Sequence, residues 1–156
     1  MIKKLTYKEG DLFAVPLPGG GWAIALVTRI APGGRVLVGH FFGPRLPVLP
    51  ASSGLALRRQ DSLLTARFGD LGIMQGKWKP LGNLVSFKRE RWPMPIFYRQ
   101  EPHAGRSLRV SYRDENPNSI PQEATISEQE ARRLPEDGLM GALAIERVLG
   151  SMLSSR

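Results

Sequence analysis

Three apolar runs near the start of the chain are separated by clusters of proline and glycine, and this pattern constrains the fold more than any other feature. The runs cover 12–17, 22–30 and 36–42, and the breaks contain Pro-Leu-Pro-Gly-Gly-Gly and Pro-Gly-Gly. Glycine permits the positive φ of tight hairpins, so short apolar runs spaced in this way predict consecutive antiparallel strands. The second run lacks polar alternation, which indicates burial on both faces or against a helix.

The middle of the chain continues with short β segments and loops. Residues 43–57 contain three prolines, so we expect a surface excursion there. The stretch 69–76 is typical of a turn or one helical turn, capped by Asp70 and carrying Ile73 and Met74 inward. Further strands are predicted at 62–68, 77–81, 96–99 and 107–112.

The composition changes in the last part of the chain. Residues 114–126 are polar and are predicted to be a linker. Ser127 and Glu130 have the spacing of a capping box, which predicts a short helix. Proline and acids in 134–137 predict the start of another helix. In this last helix the apolar residues predicted to share one face are Leu139, Leu143, Val148, Leu149, Met152 and Leu153.

These elements predict a single domain over 1–156, with a β-rich part at 1–113, the polar linker at 114–126 and a helical tail at 127–156. A chain of 156 residues is long enough to bury a core. The expected fold class is α+β: a curved antiparallel β-sheet or partial barrel with a C-terminal amphipathic helix.

The chain is basic, and its charge is unevenly distributed. The formal net charge is +8; residues 44–113 carry a net charge of +9 and residues 114–156 a net charge of −4. A basic balance favours nucleic acid, an anionic membrane or an acidic protein as partner. No apolar stretch has the length of a membrane span or the position of a signal peptide, and there is no cysteine. We therefore expect a cytoplasmic protein with no membrane partner.

Residues that could carry catalysis are few and scattered. His40 and His103 lie far apart without the acid spacing of a triad or metal site, and His40 sits in an apolar run that favours a structural position. Asp11, Asp61 and Asp70 adjoin turns, where a carboxylate commonly binds backbone amides. No glycine cluster has both the spacing and the following helix of a phosphate-binding loop. The sequence predicts a protein that is not an enzyme, with no catalytic or metal site and no cofactor.

Cations mixed with aromatic residues in the basic middle favour a binding surface. Arginine and tryptophan are common interface anchors, and the same mixture suits single-stranded nucleic acid. Trp78, between two lysines in a strand-like run, is predicted to be core. The candidate partner-binding residues are Arg58, Arg59, Lys88, Arg89, Arg91 and Trp92. A protein partner and a nucleic-acid-binding β-barrel module both remain open, although the second depends on charge alone.

Several motifs occur in an order that resembles a known family. They are GDLFAVPL at 10–17, VGHFF at 38–42, FGDLG at 68–72, GKWKPLG at 76–82 and WPMP at 92–95. Together they resemble the immunity protein 26 family of bacterial polymorphic toxin systems. The resemblance implies a non-enzymatic cytoplasmic protein that binds and neutralises a cognate toxin and needs no cofactor. It transfers no toxin-contacting residues, and the motif residues Phe13, Phe41 and Trp78 are expected in the core.

Overall fold

The structure, a computed structural model, describes residues 5–51 and 54–154. Its strands are β1 (Asp11–Pro16), β2 (Trp22–Ile30), β3 (Val36–Leu46), β4 (Leu64–Gly69), β5 (Lys79–Asn83), β6 (Phe97–Glu101), β7 (Arg106–Ser111), β8 (Gln122–Ile126) and β9 (Leu139–Met140). Its helices are α1 (Leu71–Met74), α2 (Glu128–Ala131) and α3 (Ala142–Met152). None of the helices in the described part of the chain has the length and apolar character to cross a bilayer.

The larger sheet contains six strands in the order β5-β1-β2-β3-β4-β9. β1 to β4 follow one another as antiparallel neighbours; β1 to β3 confirm the predicted meander, and β4 extends it. β5 returns to pair with β1, and β9 runs parallel to β4 at the other edge. Residues 23–29 of β2 are all buried, because both faces of the sheet are covered. The predicted α+β fold is confirmed, with an open sheet rather than a closed barrel.

One face of the larger sheet packs against α3. Its buried aromatic residues include Phe41, Phe68 and Trp78, whose ring centroids are 5.4 to 6.0 Å apart. Ile145 of α3 is fully buried against this cluster. The Trp78 Nε1–H donates a hydrogen bond of 3.0 Å to Glu146 Oε2 and so ties the helix to the sheet. The prediction of Trp78 as a core residue is confirmed.

The buried face of α3 is only partly the one predicted, since Leu149 is buried and Leu153 packs against the core as expected. Ile145, Leu149 and Gly150 are its buried residues, whereas Leu143 is 61% exposed and Met152 also faces outward. The helix carries more apolar residues than one face can hold, so hydrophobicity alone did not select the face. A Cβ on Gly150 would lie 2.9 Å from a proline ring of the β1–β2 turn, and this close approach places the small residue inward.

The opposite face of the sheet is covered by loops. Trp92 is 5% exposed, and its ring lies 6.1 Å from that of Phe42. Leu55 and Leu57 pack against the same cluster. The prediction that 43–57 is only a surface excursion is therefore wrong, since two of its leucines reach the core and β3 continues through its first residues to Leu46.

The smaller sheet has the order β6-β7-β8, and both of its pairings are antiparallel. β8 lies within 114–126, the stretch predicted to be a linker. The side chains of β8 are almost all exposed, so its sequence is polar although its backbone completes a ladder with β7. Residue composition indicates only that these side chains face solvent, so it could not predict that the backbone of β8 pairs with β7.

The segment after α2 differs from the prediction as well. Ser127 caps α2 as predicted, because its Oγ accepts a 3.0 Å hydrogen bond from the Glu130 N–H. The reciprocal bond from the Glu130 carboxylate is not among the hydrogen bonds of the described residues. The predicted helix start in 134–137 is wrong: the Asp137 N–H donates to the Tyr98 carbonyl at 2.7 Å, so this segment lies along β6. Strand β9 follows, and only then does α3 begin.

The Asp137 carboxylate joins the two sheets. The Tyr112 hydroxyl donates to it at 2.8 Å, and Arg67 Nε and Arg99 Nη1 each lie 3.4 Å from one of its oxygens. The Arg67 guanidinium also lies 4.2 Å from the centre of the Tyr112 ring. Arg67 belongs to β4 of the larger sheet and Arg99 to β6 of the smaller one. The Asp137 carboxylate therefore forms ion pairs with an arginine from each sheet.

The helical turn α1 is confirmed, but two details of its prediction are wrong. Ile73 packs against the core, whereas Met74 is exposed. The Asp70 side chain caps no backbone amide of α1. It accepts a 2.7 Å hydrogen bond from the Tyr7 hydroxyl instead.

Candidate functional site

A cleft opens on the loop-covered face of the larger sheet, beside the smaller sheet. Its volume is about 530 Å³. The floor is formed by β3 and β4, and the walls come from the loop after Trp92 and from the segment before Asp137. The lining residues are His40, Arg59, Gln60, Thr65, Pro93, Met94, Pro95, Ile96, Leu134 and Pro135.

His40 is the buried polar residue of this cleft. It is 3% exposed, its Nδ1 lies 3.2 Å from Thr65 Oγ1, and its ring meets that of Trp92 edge-on at 5.1 Å. Burial, together with the nearby positive charges of Arg59 and Arg29, lowers the pKa of His40 to about 4. The imidazole is therefore neutral at neutral pH.

His40 Nε2 is buried and has no hydrogen-bond partner among the residues that the structure describes. Sequence reasoning placed His40 in a structural position because it lies in an apolar run. The alternation along β3 then turns it to the same face as Phe42, away from Phe41. Which face carries the cleft depends on the loops that cover it, and no local sequence pattern indicates this.

Arg59 is the exposed cation of the cleft rim. It lies in a short 3₁₀ helix, Arg59–Asp61, directly after Arg58. The Arg58 Nε donates to Asp61 at 3.0 Å, so its charge is locally paired. Within 5–51 and 54–154, Arg59 has no carboxylate within 4 Å. Its guanidinium is available to an acidic group of a ligand.

The second predicted segment, 88–92, meets the first on this face. Pro93 lines both the main cleft and an adjoining cavity of about 260 Å³. The smaller cavity is lined by Arg29, Arg89, Glu90, Pro93 and Asp114. The structure thus brings Arg59 and Arg89 to two depressions that share Pro93, whereas Arg58, Lys88, Arg91 and Trp92 line neither of them.

The predicted cations of 88–92 differ in how far they are neutralised. Arg89 Nε donates to Glu9 at 2.9 Å, and its Nη1 contacts Asp114, which also binds the buried Arg29 at 2.9 Å. Lys88 and Arg91 are exposed and have no ion pair among the described residues. Trp92 is buried beside His40 and supports this surface from beneath.

The chemistry of the cleft favours binding. It offers one neutral imidazole, one permanent cation, two uncharged polar side chains and an apolar wall containing three prolines. In the described ranges no group of three or more histidine, cysteine, aspartate or glutamate residues is arranged to hold a metal ion. The arrangement can accept a hydrogen bond, bind an anion and cover an apolar group.

One family model matches the chain, that of immunity protein 26, over residues 8–107. The match runs from just before β1 into β7, and it includes the cleft residues from His40 to Ile96. No curated protein and no solved structure matches the chain.

Proposed function

The chain belongs to the immunity protein 26 family, and from this premise we propose that it binds a cognate bacterial toxin and neutralises it. Neutralisation is by stoichiometric binding in the cytoplasm, with the toxin's active site or an adjacent surface covered. No enzymatic step and no cofactor is required.

The observation that carries the proposal beyond the family is the cleft-bearing face. It combines a concave apolar wall with the exposed cation Arg59. The exposed Lys88 and Arg91 belong to the segment whose Arg89 lines the adjoining cavity. Interfaces commonly have an apolar centre with a charged rim, and complementary charge speeds encounter and rejects wrong partners. We propose this face as the toxin-binding surface, opposite an acidic region of the toxin.

The six residues predicted from sequence have different roles in this proposal. Arg59, Lys88 and Arg91 contact the toxin. Arg58 and Arg89 shape the face through their ion pairs with Asp61, Glu9 and Asp114. Trp92 holds the loop in place from the core.

The experiment begins with capture and ends with function. The chain is immobilised and exposed to nuclease-treated lysate of the source cells, and the column is washed at low and then high salt. A retained protein is then expressed in a host that lacks the chain. We expect growth arrest, and recovery of growth when the chain is co-expressed. A captured protein whose toxicity the chain does not relieve refutes the proposal.

The contact surface has its own test. Arg59→Ala should weaken toxin binding by several-fold to about tenfold, mostly through slower association, as is usual for rim charges. Arg147→Ala is the matched control, because Arg147 is an exposed cation of α3 on the opposite side of the larger sheet. Equal toxin affinities of the two variants would show that Arg59 does not lie in the interface and would refute the proposed contact surface.

Salt dependence separates this function from nucleic-acid binding. Phosphate contacts release counterions, so affinity for nucleic acid falls steeply with salt. A protein interface with an apolar centre should retain its partner. Retention of nucleic acid alone, lost at high salt, would favour the barrel-type binding module over the immunity function.

A further inference from the structure

The hydrogen bonds around His40 determine which ring nitrogen carries the proton. The Ser62 hydroxyl donates its single hydrogen to the Leu64 carbonyl at 2.9 Å. In the 3.2 Å contact between Ser62 Oγ and Thr65 Oγ1, Ser62 must therefore accept and Thr65 must donate. This contact uses the only hydrogen of the Thr65 hydroxyl. Thr65 Oγ1 is then the acceptor in its 3.2 Å contact with His40 Nδ1. The proton of the neutral imidazole lies on Nδ1, and Nε2 carries a lone pair.

This lone pair is buried without a protein partner in the described part of the chain. A buried acceptor without a hydrogen bond is costly, and a ligand that donates to it recovers that cost on binding. A ligand without a donor leaves the acceptor buried and unsatisfied. His40 lines the cleft, but Nε2 itself is covered, so a ligand reaches the lone pair only by displacing the side chains that cover it. A ligand that does so gains this hydrogen bond only if it carries an N–H or O–H group.

The walls and the rim restrict the rest of the ligand. Pro93, Pro95, Ile96 and Pro135 offer apolar surface, and Met94 has an unbranched side chain that adapts to an incoming group. Arg59 at the rim attracts an anion and repels a cationic donor such as lysine. A side chain that fits has an apolar body with a hydroxyl at its far end, and tyrosine has this form.

We propose that the cleft binds a segment of the toxin in which a tyrosine, adjacent to an acidic residue, inserts its ring between the prolines and donates its hydroxyl to His40 Nε2. The acidic side chain pairs with Arg59. This inference rests on the proposed immunity function for the identity of the partner, whereas the chemistry of the ligand follows from the cleft itself.

The direct test uses short peptides in place of the toxin. Acetylated and amidated Gly-Asp-Tyr-Gly, Gly-Asp-Phe-Gly and Gly-Asn-Tyr-Gly are titrated into the full chain, and the His40 ring nitrogens are followed by NMR. We expect the free protein to show the Nδ1–H tautomer. The first peptide should shift the Nε2 resonance saturably, with a Kd of about millimolar order for so small a ligand. Replacing tyrosine with phenylalanine, or aspartate with asparagine, should weaken binding about tenfold.

Variants assign the two contacts. Arg59→Gln should remove the preference for aspartate over asparagine and keep the preference for tyrosine over phenylalanine. Arg147→Gln should change neither. Thr65→Val removes the acceptor that holds the proton on Nδ1, so the preference for tyrosine should shrink, and Thr65→Ser should restore it. The backbone NMR spectrum of each variant shows whether it is folded.

The outcomes separate this inference from the immunity function. An Nε2–H tautomer in the free protein, the absence of a saturable shift at about 10 mM peptide, or equal affinity for the tyrosine and phenylalanine peptides overturns the inference. It does so even if the chain protects cells from the toxin. Peptide selectivity without protection would support the ligand chemistry and refute the immunity function.

Discussion

Replacing Asp137 with asparagine should destabilise the protein far more than the removal of a surface carboxylate. The Asp137 side chain is 5% exposed, and that of its partner Arg67 is 11% exposed. Asp137→Asn leaves the Arg67 guanidinium largely buried without its counter-charge. The Tyr112 hydroxyl can still donate to the asparagine oxygen, so the loss is mainly electrostatic.

The magnitude follows from burial and distance. Removing one partner of a buried ion pair typically costs about 3–5 kcal/mol. The two arginine contacts are 3.4 Å long, and Arg99 is 42% exposed and retains its ion pair with Glu123, so we expect the lower end, about 3 kcal/mol. For a chain of this size each kcal/mol lowers Tm by roughly 2–4 °C, which gives a fall of about 10 °C.

Urea unfolding followed by circular dichroism and by tryptophan fluorescence measures this loss. The matched control is Asp61→Asn, which removes an exposed ion pair with Arg58 and should cost about 0–1 kcal/mol. Similar losses in the two variants would refute the conclusion that Asp137 is the counter-charge joining the sheets. The m-value scales with the surface exposed on unfolding. A reduced m-value in Asp137→Asn would therefore indicate that the smaller sheet has separated from the larger one before urea is added.

Three further predictions test the packing and the cleft. Gly72→Ala places a Cβ 2.7 Å from a buried indole and should cost about 1–3 kcal/mol in urea unfolding, whereas the exposed Gly54→Ala meets no atom within 4 Å and should be nearly neutral. Ile145→Ala should cost about 2–5 kcal/mol and the exposed Leu143→Ala less than about 0.5, and a reversed order would restore the helix face predicted from sequence. The pKa of His40 is lowered from 6.5 to about 4, so between pH 4 and 6.5 the unfolded state binds more protons than the folded state. The free energy of unfolding should therefore fall by up to about 3 kcal/mol as the pH drops from 6.5 to 4, and a folded His40→Gln variant should lack this pH-dependent loss.

Parts of the candidate site were predictable from local residue pattern. The segments 58–59 and 88–92 were identified by their cations, and the structure places Arg59 and Arg89 in two depressions that share Pro93. Trp92 could be identified as an aromatic in a basic loop, but its burial depends on Phe42 and His40 in a distant strand. The unpartnered Nε2 of His40 depends on Ser62 and Thr65, which lie more than twenty residues away in sequence, and no spacing rule relates them.

The sequence by itself determined the meander β1 to β3, the turn at α1 and the helix N-cap at Ser127, because each depends on the periodicity or turn chemistry of adjacent residues. Only the tertiary structure decided the pairing of the polar strand β8, the extended path of 134–137 along β6 and the buried face of α3. These features depend on long-range partners: a neighbouring backbone for β8, the arginines around Asp137, and the close approach at Gly150. The cleft exists because those long-range contacts hold the smaller sheet and the Trp92 loop on the same face of the larger sheet.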